Sequence, residues 1–212
     1  LASGCSVILK AAPDTPWSAT MLGRIVKEST DIPPGVFNVL TAEDPVSLGE
    51  QLVKDPRVDM ISFTGSTIVG KRVMALASES VKKVFLELGG KSANIILDDS
   101  DLSQSLLSSL AVCFHAGQGC AIHTRLLIPK SRRDEIESLL QTYFGYIEYG
   151  DPMSETQIMG PLINARQRDR VLEYIDKGKR EGARILLGGG MPKHLDKGYY
   201  IEPTVFMDVT NE

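Results

Sequence analysis

The chain has 212 residues, 42% of them hydrophobic, which is enough to bury one good core or two small ones. A formal net charge of −4 argues against a polyanion partner, because binding a phosphate backbone needs clustered Lys and Arg. No apolar run approaches the roughly 20 residues that cross a bilayer, and the stretch from Leu1 to Lys10 lacks the basic start of a signal peptide, so neither a nucleic-acid nor a membrane partner is expected.

Ser6–Lys10 is a short apolar run that predicts a strand. Thr15 and Pro16 open a helix, with Thr15 as N-cap and proline at the first helical position. Met21, Leu22, Ile25 and Val26 give that helix one apolar face. Pro33-Pro34-Gly35 stops the chain, and Val36–Leu40 reads as the next strand. Leu48, Leu52 and Val53 mark a second helix, Val58–Phe63 a third strand, Ile68–Ser78 a third helix, and Val84–Leu86 starts a fourth strand. Apolar, non-alternating strands that take turns with helices predict an α/β fold, a parallel sheet with helices on both faces and right-handed crossovers.

After Gly89-Gly90 the rhythm restarts, which places a domain boundary at Leu88–Gly90 and divides the chain into residues 1–88 and 89–212. Ala93–Leu97 reads as a strand, and Asp98-Asp99-Ser100-Asp101 suits a helix N-terminus, where the dipole favours negative charge. Leu102, Leu106, Leu110 and Phe114 fall four apart along the helix that follows, and Gly117 ends it. Leu126–Pro129 is strand-like, and Ser131 is expected to cap a helix carrying Ile136, Leu139 and Leu140. Residues 151–164 read as loop and Ala165–Lys179 as a helix with Glu173–Lys177 and Asp176–Arg180 pairs. Arg184–Leu187 and Tyr199–Val209 close the chain as strands.

Three runs carry chemistry. In Phe63-Thr-Gly65-Ser66-Thr-Ile-Val-Gly70, a strand ends in Gly65-Ser66 before a helix, so backbone N–H groups and the positive dipole end face whatever lies above. Gly65 allows close approach and Ser66 adds a hydroxyl; an ordinary strand–helix turn with Ser66 as N-cap explains the same run equally well. Glu87, between Leu86 and Leu88, is an acid in an apolar strand: either a solvent-facing residue or a general base for water in apolar surroundings. Cys120 follows Gly117-Gln118-Gly119, which break the helix and leave the thiol in a loop where a thiolate can react. Cys5, in the first strand, and Cys113 read as small buried hydrophobes. The three cysteines are odd in number and lack CxxC spacing, so neither a disulfide framework nor a metal site is expected, and reduced thiols in the cytoplasm are the plain reading.

Together, Phe63–Gly70, the Glu87-Leu-Gly-Gly-Lys91 run and the Gly117-Gln-Gly-Cys120 run resemble the aldehyde dehydrogenase superfamily in order and interval. The resemblance implies a Rossmann-like dinucleotide-binding domain over residues 1–88 and part of a second, catalytic α/β domain over residues 89–212. It implies Cys120 as nucleophile and Glu87 as the base that activates the hydrolytic water. It also implies Lys10, Gly65, Ser66, Leu88 and Gln167 as residues near an NAD cofactor. Pro13 stands where many NAD-preferring members carry a glutamate, which admits NADP, while Glu43 and Asp44 disfavour an extra phosphate. Arg170 replaces a lysine often found near the nicotinamide ribose. His115 and His123 match no catalytic position of the family. The implied reaction takes a small-molecule aldehyde to a carboxylic acid through a thiohemiacetal and a thioester. A non-catalytic relative and a CoA-acylating enzyme are alternatives that Glu87 and Cys120 together disfavour. The family's Pro-Trp-Asn and Glu-Glu-x-Phe-Gly-Pro segments do not occur in this sequence. The expectation is therefore the middle of a longer, homo-oligomeric enzyme, inactive as these residues alone.

Overall fold

The computed structural model describes residues 1–210. Contacts divide it into two compact units, Leu1–Leu88 and Gly89–Glu212.

The first unit runs β1 (Val7–Lys10), α1 (Pro16–Ser29), β2 (Phe37–Leu40), α2 (Pro45–Lys54), β3 (Met60–Gly65), α3 (Thr67–Ala77) and β4 (Lys83–Leu88). β1 pairs with β2 and β3 with β4, both in parallel, as the strand–helix rhythm predicts. Helix starts follow their sequence signals. Asp44 caps α2 by accepting from the Val46 and Ser47 amides, and Pro45 occupies its first turn. Pro16 opens α1 in the expected place, but the Thr15 side chain makes no capping bond. The Val81 backbone is left-handed, and beyond it the Lys82 ammonium donates to the Asp55 and Val58 carbonyls, both at 2.6 Å.

The core of this unit sits on one face of β3–β4. Val53 of α2 and Val73 and Ala77 of α3 are buried against Ile61, Phe63, Val84 and Leu86. The strands are therefore half-covered, contrary to the expected uniform burial: accessibility alternates residue by residue, and Met60 and Phe85 on the outer face are about half exposed. The apolar stripe of α1 is likewise open, with Leu22 and Ile25 exposed and no fully buried residue on the helix. Cys5 lies outside β1 and is exposed, which corrects its expected burial.

The second unit contains β5 (Ser92–Ile95), α4 (Leu102–Ser105), β6 (His123–Leu127), α5 (Arg133–Gly145), α6 (Ala165–Arg180), β7 (Arg184–Leu187) and β8 (Val205–Met207). β5 and β6 are parallel, β7 and β8 antiparallel. Asp101 caps α4 as the acidic run suggests, accepting from the Ser103 amide at 2.9 Å. The long helix expected from Leu102 to Phe114 instead passes after one α turn into a 3₁₀ segment, Leu106–Gly117, that is broken by non-helical backbone at Phe114, His115 and Ala116. Leu102 and Leu106 are buried, whereas Phe114 is half exposed. Ser131 does not cap α5; its hydroxyl donates to the Asp98 carboxylate, and a 3₁₀ turn, Lys130–Arg132, leads into the helix.

The main core joins Leu106, Cys113, Ile136 and Leu140, all essentially without exposure, to Ile96, Phe144 and Met159. A smaller cluster seats Ile175 of α6 against Leu162 and Ile201. The expected pairs along α6 are replaced by Lys177–Glu181 at 3.5 Å and Lys179–Asp176 at 3.3 Å.

Candidate active site

Within the first unit, the register of β3 and β4 assembles the motif residues at one edge. Thr64 stands opposite Glu87 and Gly65 opposite Leu88, both pairs at the carboxyl ends of parallel strands. In open α/β sheets that edge is where ligands bind. Side chains alternate across a strand, so Leu86 and Leu88 point toward α3 while Glu87 emerges on the other face. Glu87 is exposed there, not set in the apolar surroundings that its neighbours suggest.

Ser66 caps α3: its hydroxyl accepts from the Val69 amide at 3.4 Å and its carbonyl accepts from the Gly70 amide at 2.9 Å. The capping alternative for Ser66 is thus realised. It coexists with a ligand role, because the Ser66 O–H remains a donor and the amides of Thr67 and Ile68 belong to the first turn, which lacks intrahelical acceptors. A side chain on Gly65 would strike the Phe63 ring, at 2.5 Å from its outermost carbon, so glycine is required for that ring to stay over the core. Gly70 lets α3 approach β4, since an added Cβ would lie 2.8 Å from a Leu88 methyl. Gly65 and Ser66 are exposed at the head of an eleven-residue helix, a donor set that fits the pyrophosphate of a dinucleotide. Lys10 ends β1, half-buried, and its ammonium donates to the Ala11 carbonyl at 2.8 Å.

Within the second unit, Cys120 is a free, exposed thiol, while Cys113 is sealed in the core, where burial pushes its thiol up to about 11. The approach to Cys120 is a left-handed run: His115 and Ala116 have φ of 51° and Gly117 of 74°. Ordinary L residues adopt that region at a cost, so two of them in succession mark a constrained turn. An added Cβ at Gly90 would stand 3.9 Å from the Cys120 carbonyl oxygen. Gln167 lies in the first turn of α6, half-buried, and its amide donates to the Asn164 cap at 3.0 Å. Arg170 is exposed with its guanidinium 6.0 Å from the Tyr174 ring centre. His115 and His123 are both exposed. One residue escaped role assignment from the sequence: Gln118, whose side chain donates to the His115 carbonyl at 2.9 Å and accepts from the Ile163 amide at 3.1 Å. The Gly-Gln-x-Cys spacing flagged the residue, but a partner 45 positions away leaves no local signal. Among the described residues no group of three or more His, Cys, Asp or Glu could hold a metal ion.

A family model described as "Aldehyde dehydrogenase family" matches residues 1–212. The chain belongs to the aldehyde dehydrogenase family. Among aldehyde dehydrogenase relatives, the 3-succinoylsemialdehyde-pyridine dehydrogenase of a Pseudomonas species is 42% identical over 214 residues, which is all of this chain and 44% of that protein. The crystal structure of Mycobacterium tuberculosis aldehyde dehydrogenase complexed with NAD+ superposes with a TM-score of 0.93 at 43% identity, covering 98% of this chain and 43% of that one. An Escherichia coli NADP-dependent enzyme superposes with the same TM-score of 0.93 at 35% identity, covering 99% of this chain and 43% of that one. The α/β architecture is thus that of aldehyde dehydrogenases, and the chain spans less than half the length of these relatives.

Proposed function

We propose that the complete protein oxidises a small-molecule aldehyde to a carboxylic acid, with Cys120 as nucleophile and Glu87 as general base. The observation that carries this reading is the exposed Cys120 thiol presented by a left-handed turn in a chain of this family. The Cys120 thiolate attacks the aldehyde carbon, and the carbonyl electrons move to oxygen to give a thiohemiacetal. The Cys120 backbone N–H would donate to that oxyanion. When bound, a nicotinamide dinucleotide supplies the acceptor for the hydride that leaves this carbon, and a thioester on Cys120 remains. Glu87 takes a proton from water, the hydroxide attacks the thioester, and the acid departs as the Cys120 thiolate is regenerated.

Exposure of Glu87 gives it the access to water that a general base for hydrolysis needs. The Gly65–Ser66 turn and the first amides of α3 would hold the pyrophosphate, with Lys10, Leu88 and Gln167 as further contacts. NAD is the proposed cofactor, as in the M. tuberculosis relative's complex, and Pro13 leaves NADP admissible, as in the E. coli enzyme. Free thiols at Cys5, Cys113 and Cys120 suit a reducing compartment, so the proposal places the protein in the cytoplasm. No helix among the described residues is long and apolar enough to cross a membrane. The family resemblance carries the further proposal of a homo-oligomer.

The test is pre-steady-state kinetics on the complete protein. Cys120→Ala is expected to abolish both the burst of reduced dinucleotide and turnover. Glu87→Gln is expected to keep the burst while slowing turnover about 100-fold or more, the usual scale for general-base loss. Full turnover by Cys120→Ala would end the nucleophile assignment; unchanged turnover by Glu87→Gln would end the base assignment.

A further inference from the structure

The left-handed run His115-Ala116-Gly117 needs something to hold it, because two of its three residues carry side chains that disfavour φ near 51°. Gly117 helps by necessity: at φ 74° an added Cβ would also press on the Val112 carbonyl at 3.3 Å. The remaining restraints converge on Gln118. Its backbone N–H donates to the His115 carbonyl at 3.1 Å, and its side-chain Nε2 donates to the same oxygen at 2.9 Å. Its Oε1 accepts from the Ile163 N–H at 3.1 Å. One amide thus closes the turn from within and ties it to the segment entering α6, where Asn164 caps the helix. Cys120 lies two residues further on, and Gly119 between them is itself crowded, since an added Cβ would meet the Ile122 side chain at 2.8 Å.

We propose that Gln118 is a positioning residue for Cys120: its side chain locks the left-handed turn and anchors it to Ile163, fixing where the thiolate meets the aldehyde. The inference rests on Cys120 being the nucleophile. Both hydrogen-bonding ends of the amide are used, so its chemistry is specific: a donor is needed toward His115 and an acceptor toward Ile163. Methionine preserves the length of the side chain and offers neither.

The experiment compares Gln118→Met and Gln118→Glu with the parent in the complete protein, reading the burst rate of acyl-enzyme formation, NAD affinity by fluorescence titration, and thermal midpoint. Gln118→Met is expected to slow the burst about 100-fold, the scale of an ångström-level misplacement of a reacting group, with NAD affinity within about twofold of the parent. Gln118→Glu keeps the acceptor for Ile163 but turns an oxygen toward the His115 carbonyl. Its burst is expected to be slow at neutral pH and to recover relative to the parent as pH falls, when the protonated carboxyl becomes a donor again. That pH-dependent ratio separates positioning from loss of fold, which would lower burst, affinity and midpoint together at every pH. A burst unchanged in Gln118→Met, or a Gln118→Glu ratio that stays flat with pH, overturns the proposal while leaving the nucleophile assignment intact. Retained activity in Cys120→Ala instead overturns the reading on which the proposal rests.

Discussion

The three cysteines differ enough in environment to be ranked by reactivity. Cys113 has no exposure, and burial pushes its thiol from 9.0 to about 11. Alkylating reagents attack the thiolate, and a rise of two units leaves about 100-fold less of it at any pH below the ordinary thiol value. Access multiplies the difference, because a reagent reaches Cys113 only when the core around Leu106 and Ile136 opens. Cys5 and Cys120 are exposed, so a reagent reaches them without any opening of the fold. The folded protein is treated with iodoacetamide at pH 8, quenched at intervals, digested, and each cysteine peptide quantified by mass spectrometry. Cys5 and Cys120 are expected to label within one phase, and Cys113 at least about 100-fold more slowly. In concentrated urea the three rates should converge, which controls for reagent chemistry. In the complete protein, activity is expected to fall in step with Cys120 labelling, and a Cys5→Ser variant is expected to lose activity at the same rate as the parent. Labelling of folded Cys113 within about tenfold of Cys5 would refute the burial argument, and activity that survived labelling in Cys5→Ser would refute the choice of nucleophile.

Other consequences are open to measurement. The folded thiol of Cys113 titrates higher than the unfolded one, so its contribution to stability is complete below about pH 9 and is lost toward about pH 11. Unfolding free energies from urea titration should therefore decline there by roughly 1.4 kcal/mol per pH unit, and Cys113→Ala should flatten that part of the profile; an identical slope in the variant removes Cys113 as the cause. Leu106→Ala deletes a side chain with no exposure and is expected to cost about 2–5 kcal/mol in denaturant titration; a loss below about 1 kcal/mol would mean that the cluster is not close-packed. Gly188 has φ of 68° and its missing Cβ would run into the Pro203 carbonyl, so Gly188→Ala should destabilise by at least about 1–3 kcal/mol, and a neutral result would contradict the β7–β8 geometry.

Much of the fold was legible because its signals are local. Pro16 at the first position, Ser66 and the acidic run ending in Asp101 marked helix starts, and Ser66 and Asp101 act as caps. What failed was whatever depends on a distant partner. Ser131 had the look of a cap, but the Asp98 carboxylate competes for its hydroxyl across 33 positions. Four-residue spacing from Leu102 suited an α-helix and placed Leu102 and Leu106 correctly in the core, yet hydrophobic spacing alone does not separate a 3.6-residue turn from a tighter one, and Phe114 ends up exposed. The same limit applies to β3 and β4: Met60 and Phe85 are as apolar as Ile61 and Leu86, so the run looks uniform, although only one face is covered. Within the proposed site the residue types were readable, whereas the left-handed turn before Cys120 and its tie through Gln118 to Ile163 were not.

The direction of Glu87 follows from its neighbours more than from itself. Val84 and Leu86 pack against Val73 and Ala77 of α3, and Leu88 fills the space that Gly70 leaves open. Sliding β4 by one residue would turn these side chains into water and drive the Glu87 carboxylate against the same apolar helix, at the cost of both the lost burial and an unpaired buried acid. Packing of α3 therefore selects the register that sets Glu87 opposite Thr64 and Leu88 opposite Gly65. The helix whose first turn is the proposed pyrophosphate seat thus also aims the proposed base, so a change that loosens α3 from β4 should disturb dinucleotide binding and deacylation together.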